Sequence, residues 1–92
     1  MAKIILVAED NADIRALLFG MFKNEGYIVR TAKNGTDALR DIMENGLPDV
    51  MVVDHNMPGR TGLDLIAEIR RHETERRVIA VLITATHMRA SE

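Results

Sequence analysis

Apolar residues along this chain fall into runs of two kinds, and the alternation between them predicts the fold. Residues 4–8, IILVA, are continuously apolar, with no polar position to mark a wet face. A strand buried on both faces of a parallel sheet reads this way, so 4–8 is the first expected strand. The next stretch, NADIRALLFGMFKNEG, changes period: Ile14, Leu17, Leu18, Met21 and Phe22 stand at i, i+3, i+4, i+7 and i+8. That spacing lines one face of a helix, with Asn11 suited to cap its start and Gly26 its end.

Further along, YIVRTA at 27–32 alternates more clearly and suits a strand nearer a sheet edge. Asn34 and Gly35 are expected to turn the chain. Ala38, Leu39, Ile42 and Met43 then make a second, short amphipathic helix, stopped by Gly46 with Pro48 beyond. DVMVVD at 49–54 predicts a third strand. Leu63, Ile66, Ala67 and Ile69 support a third helix to about His72, followed by the charged connector ETERR and a fourth strand, VIAVLI, at 78–83. Methionines and Phe22 at helical spacing are expected in the core. Strands alternating with helices imply parallel βαβ units with right-handed crossovers, hence a doubly wound α/β fold.

Composition narrows the function classes. With 92 residues, 47% of them hydrophobic and 28% charged, the chain suits one globular domain and has no room for a second. A formal charge of −2 with both signs interspersed gives no electrostatic reason to bind nucleic acid or an anionic membrane. The absence of cysteine excludes a disulfide framework, thiolate catalysis and cysteine-ligated zinc, and fits a reducing cytosol, so a cytoplasmic location is expected. MAKIILVAED reaches two acids after a short apolar run and is neither signal peptide nor membrane span. There is no Gly-rich phosphate-loop pattern, and His55, His72 and His87 lack metal-ligand spacing.

The candidate chemistry lies at the strand ends. In open parallel sheets ligands bind beyond the carboxyl ends of the strands, near the point where strand order reverses. The first strand ends in Glu9 and Asp10, the third in Asp54 and the fourth in Thr84. If these strands are neighbours, three carboxylates and a hydroxyl meet in one pocket. Clustered carboxylates raise each other's cost of ionisation, and a hard divalent ion such as magnesium removes that cost. With a metal present, a carboxylate is also a competent nucleophile toward phosphorus, and Asp54 is the central candidate. Met57-Pro58-Gly59 after it is turn chemistry that would fix backbone groups beside the site.

Taken together, ED after the first strand, D-x-x-M-P-G-x-x-G after the third and T-A after the fourth resemble the receiver domain of bacterial two-component response regulators. The resemblance spans essentially the whole chain, residues 1–92. It implies a flavodoxin-like sheet in the order 2-1-3-4 with three helices. It implies that Asp54 is the phospho-acceptor, Asp10 a direct Mg2+ ligand, and Glu9 an acid acting through metal-bound water. It also implies that Asn56 gives the metal its backbone carbonyl, that Thr84 is the switch hydroxyl, and that Ala85 is the small residue keeping that approach open. The implied partner is a sensor histidine kinase or phosphotransfer protein, and the implied role is a switch rather than an enzyme.

Against the family pattern, the chain is expected to lack the fourth helix, fifth strand and fifth helix of a domain of about 120 residues. The lysine that closes the family's fifth strand has no counterpart among Lys3, Lys23 and Lys33. The fourth strand is expected at a bare apolar edge, open to pairing with a second copy. Two alternatives to a phosphorylatable receiver follow: an interaction fragment that dimerises through this edge, and a small phosphohydrolase with Asp54 as nucleophile, in which Asn56 stands where the proton-donating acid would fall.

Overall fold

The computed structural model describes residues 2–55, 57, 61–71 and 77–83. Seven elements alternate along them: β1 (Ile4–Ala8), α1 (Ala12–Asn24), β2 (Ile28–Ala32), α2 (Gly35–Asn45), β3 (Val50–Asp54), α3 (Gly62–Arg70) and β4 (Ile79–Ile83). All neighbouring strands are parallel, in the order β2-β1-β3-β4. This is the doubly wound, flavodoxin-like arrangement expected from the sequence, with β2 and β4 outermost among the described strands.

The unbroken apolar run of β1 is explained by two dry faces. Ile5 and Val7 join Val52 of β3 in a cluster covered by Leu18 and Phe22 of α1. Leu6 and Ala8 point the other way, into the larger cluster with Met51 and Val53, Ala38 and Ile42 of α2, and Leu65 and Ile69 of α3. Side chains alternate across a strand, so a strand with helices on both sides has no polar parity left. β1 and β3 are therefore the interior of the sheet.

Helix ends follow the capping chemistry of the sequence. The Asn11 side chain accepts from the Ile14 N–H at 2.9 Å, and Thr61 and Asp64 form a reciprocal capping box at the start of α3. Asn34 and Gly35 do not make a free turn: the Asn34 Oδ1 accepts from the Asp37 N–H at 2.7 Å, so Asn34 caps α2 and Gly35 is its first residue. A short side-chain acceptor captures an otherwise orphan helix donor here, which turns a loop signal into a helix start. Gly26 and Gly46, at φ 98° and 92°, take the left-handed conformation that lets the chain leave α1 and α2. Arg30 of β2 donates to the carbonyls of Asn45 (3.1 Å) and Gly46 (2.6 Å) and pairs with Asp41 (3.0 Å), tying the end of α2 to the sheet edge.

Burial departs from the apolar pattern in four elements. Leu17 and Met21 of α1 are 62% and 52% exposed, and Met43 of α2 is exposed too. The apolar stripe of α1 is wider than the sheet beneath it, which takes up Leu18 and Phe22 and leaves the flank uncovered. In α3 the fully buried pair is Leu65 and Ile69, while Leu63 and Ala67 face outward. The helix ends at Arg70, with Arg71 as its cap, short of His72. On β4, Ile79 and Val81 are 64% and 46% exposed; their register opposite Val50 and Val52 puts them on the sheet face that α1 covers farther in.

The start of α3 is seated tightly against the end of β3. A β-carbon on Gly62 would stand 2.6 Å from Leu82 Cδ1 and 3.0 Å from both the Asp54 carbonyl oxygen and the His55 α-carbon. Leu82 can swing aside, but two of the three obstacles are backbone. Gly62→Ala is therefore expected to cost about 1–3 kcal/mol. Gly20→Ala, inside α1 with nothing within 4 Å, should instead gain roughly 0.5–1 kcal/mol. Urea unfolding midpoints of the two variants check this, and a Gly62→Ala protein as stable as the parent would refute the tight seat.

Candidate functional site

Because β1 lies beside β3, with Ala8 opposite Val53, the two strands end at the same level and present their following residues to one another. The Glu9 N–H donates to the Ala32 carbonyl at 3.0 Å, which carries the β1–β2 ladder one residue past the strand. Glu9 is thereby held in line with the sheet, 3% exposed, while Asp10 is exposed. Asp54 closes β3 opposite Ile83 of β4 and is 4% exposed. One carboxylate oxygen each from Glu9, Asp10 and Asp54 lies within 4.8 Å of the other two. The sequence-predicted acids are thus brought together.

Other expected site residues are distributed unevenly. Asn56, Thr84 and Ala85 lie outside the described residues, as do His72, His87 and the Pro58-Gly59 turn. Met57 is buried in the larger apolar cluster and anchors the chain after Asp54. The Gly62 N–H donates to the His55 carbonyl at 3.2 Å, and the His55 N–H to the Ile83 carbonyl at 2.9 Å. His55 is half-buried, and its Nδ1 has no hydrogen-bond partner among the described residues. Lys3 precedes β1 at the opposite ends of the strands, Lys33 is exposed after β2, and Lys23 lies over the Phe19 ring at 5.6 Å.

Two contacts at this site were not read from the sequence. The Asn11 N–H donates to Glu9 Oε2 at 3.1 Å, and Arg15 Nη1 donates to the Glu9 carbonyl at 2.9 Å. Only their closeness in sequence hinted at them, since a residue early in a helix can reach the loop just before it.

Electrostatics follow from burial. Desolvation pushes the Glu9 carboxyl up to about 7 from 4.5, and the hydrogen bonds shared with Asp54 and Asp10 and the negative charge of Asp54 push the same way. The Asn11 N–H opposes them by favouring the ionised form. The donor set is oxygen only, which fits a hard divalent cation far better than a soft one.

A carboxyl raised in the folded state binds more protons there than in the unfolded chain between pH 4.5 and 7. Its stabilising contribution is complete below 4.5 and is lost as pH rises through 7. The loss is on the order of 3 kcal/mol. Glu9→Gln, which cannot ionise, should therefore come closest to the parent below pH 4.5 and exceed it in stability at pH 8. Thermal unfolding in the presence of a chelator measures this; a gap of the same size at both pH values would show that Glu9 is not held protonated by its surroundings.

Among the described residues no helix is long and apolar enough to cross a membrane. Comparison with known proteins gives consistent results. The chain is 38% identical over 81 residues to an uncharacterized 14.6 kDa protein of Leptolyngbya boryana, a match covering 88% of this chain and 61% of that protein's length. It is similar to the response regulator protein TrrA of Thermotoga maritima solved in complex with Mg2+-BeF, at 38% identity and a TM-score of 0.80, over 96% of this chain and 75% of that one. The structure of TrrA in complex with the histidine kinase ThkA also matches, at 38% identity and a TM-score of 0.78, over 90% and 69% of the two chains. Residues 5–92 match the family model of the response regulator receiver domain, and the chain belongs to that family.

Proposed function

We propose that this chain is a receiver module of two-component signalling in which Asp54 accepts a phosphoryl group from a kinase's phosphohistidine. The observation that carries the reading is the meeting of Glu9, Asp10 and Asp54 within 4.8 Å at the carboxyl edge of the sheet. TrrA, solved both with Mg2+-BeF and with a histidine kinase, supports it by analogy. Glu9, Asp10, Asp54 and the Asn56 carbonyl would hold Mg2+, which supplies positive charge against the phosphoryl oxygens. Thr84 and Ala85 keep the roles implied by the family resemblance.

Each side chain then has a task. An Asp54 carboxylate oxygen attacks phosphorus; the O–P bond forms as the donor's N–P bond breaks, and the imidazole leaves with that electron pair and takes up a proton. Burial of Asp54 limits the access of bulk water to the resulting acyl phosphate. Glu9 and Asp10 contribute negative charge that only a cation makes tolerable, so the phosphoryl group is disfavoured in its absence. The output is a changed surface, with self-dephosphorylation as the only turnover.

Intact mass after incubation with Mg2+ and a small phosphodonor tests the reading. The parent should gain one phosphoryl group, while Asp54→Asn, or the parent with chelator, should gain none. Rapid consumption of donor without retention would instead indicate a phosphohydrolase.

The exposed apolar side chains of β4 favour a second reading, self-association through that edge. Ile79, Val81 and Leu82 are all exposed, and among the described strands β4 pairs only with β3. Light scattering behind size exclusion should show a dimer that Val81→Lys reduces to monomer. A parent that is monomeric at all concentrations rules this edge out.

A further inference from the structure

Arg15 stands out because of what it bonds. It sits in the first turns of α1, half-buried, one turn after Asn11, whose carbonyl accepts the Arg15 backbone N–H at 2.9 Å. Two carboxylates, Glu9 and Asp10, lie just upstream, yet among the described residues Arg15 forms no ion pair with either. Its Nη1 donates to the Glu9 carbonyl at 2.9 Å and stands 3.5 Å from the Asp10 carbonyl, at the limit of a hydrogen bond. A guanidinium beside acids ordinarily takes a carboxylate, where the charge-assisted bond is strongest. Here the guanidinium pairs with neither acid and holds their backbone instead.

The connection from β1 to α1 is three residues long, Glu9, Asp10 and Asn11. Three of its other polar groups have partners of their own: the Glu9 N–H donates to the Ala32 carbonyl, the Asn11 N–H to Glu9 Oε2, and the Asn11 side chain accepts from the Ile14 N–H. The Glu9 carbonyl is a further handle, and rotation of the peptide that carries it would swing Asp10 away from Asp54. Arg15 holds that handle with a planar group built into a helix.

We infer that Arg15 is a positioning residue for cation binding: by fastening the Glu9 carbonyl it presets the turn that brings both carboxylates within reach of Asp54, without pairing with either of them. This rests on the proposed function, in which these three acids hold Mg2+. An opposite expectation is built into the chemistry, because removing a nearby positive charge favours a cation by Coulomb attraction alone. Positioning and simple charge therefore have opposite signs.

The probe is Mg2+ alone, read as the rise in melting temperature with MgCl2 concentration at constant ionic strength, for the parent, Arg15→Met, Arg15→Lys and Asp10→Asn. Arg15→Met is expected to lose about tenfold in Mg2+ affinity, the low end of what supporting contacts around metal ligands contribute. Arg15→Lys, which keeps a donor without the fork, should fall between the two. At saturating Mg2+, phosphoryl labelling of Arg15→Met should return to the parental rate, a recovery that general destabilisation would not give. Parental or tighter Mg2+ affinity in Arg15→Met overturns the inference, even if its melting temperature without Mg2+ is lower. If Arg15→Met does not fold, Arg15→Lys decides, and an affinity equal to the parent's overturns the inference. A parent whose melting temperature ignores Mg2+ while Asp10→Asn behaves identically would overturn the metal-binding reading itself, and the Arg15 role with it.

Discussion

Two carboxylates buried side by side are the constraint around which this molecule is arranged. Glu9 and Asp54 are almost wholly withdrawn from solvent and Asp10 completes the triad, so the fold must hold together groups that repel when ionised. The strands that deliver them are the two with dry faces on both sides. Leu6 and Val7 of β1 and Val53 of β3 are fully buried, each worth roughly 1.5–3 kcal/mol of apolar burial. The strain of the site is thus offset next to where it arises, in the segment least able to relax. An acid pair at the end of an outer strand would have loosened its own support.

The same constraint explains what the sequence disclosed. A strand that is dry on both sides shows no alternation, so IILVA and MVV could be recognised, and a carboxylate that ends such a run stands out against it. Other features depend on which element lies next to which, and periodicity does not carry that. Strand order came from family resemblance, because apolar runs do not say which neighbour they choose. Leu17 and Met21 fit the helical stripe as well as Leu18 and Phe22 do, and only the width of the sheet separates them. Leu65, fully buried, was missed in favour of Leu63, because a nine-residue helix offers too few turns to fix the phase of its apolar face. Asn34 could be read as turn or cap, and the deciding partner was the N–H of Asp37.

Within the site, legibility divided between side chain and backbone. The acids announced themselves by type and by position after a strand. Their backbone supports did not: nothing about an arginine four residues beyond Asn11 says that it will prefer a carbonyl to a carboxylate, and the Glu9–Asn11 contact is a loop closure with no residue signature. Burial of Glu9 and exposure of Asp10, adjacent residues of like chemistry, arise from the extra ladder bond to Ala32, a consequence of pairing with β2.

Asp54 is gripped differently from the acid pair, and the difference bears on how a change of charge there reaches the surface. Glu9 is fastened within its own βα connection, to Asn11 and Arg15. The backbone following Asp54 is held by other elements: the His55 N–H by Ile83 of β4, the His55 carbonyl by the N–H of Gly62 at the start of α3, with Gly62 itself closely packed on the Asp54 carbonyl. Close-packed contacts transmit displacement because they have no slack to absorb it. A shift of the backbone after Asp54 would therefore be passed to β4 or α3, whereas α1 meets the site through a turn held by Asn11 and Arg15. The arrangement separates the two sides of the site, with Glu9 braced at α1 and the backbone after Asp54 tied to α3 and β4.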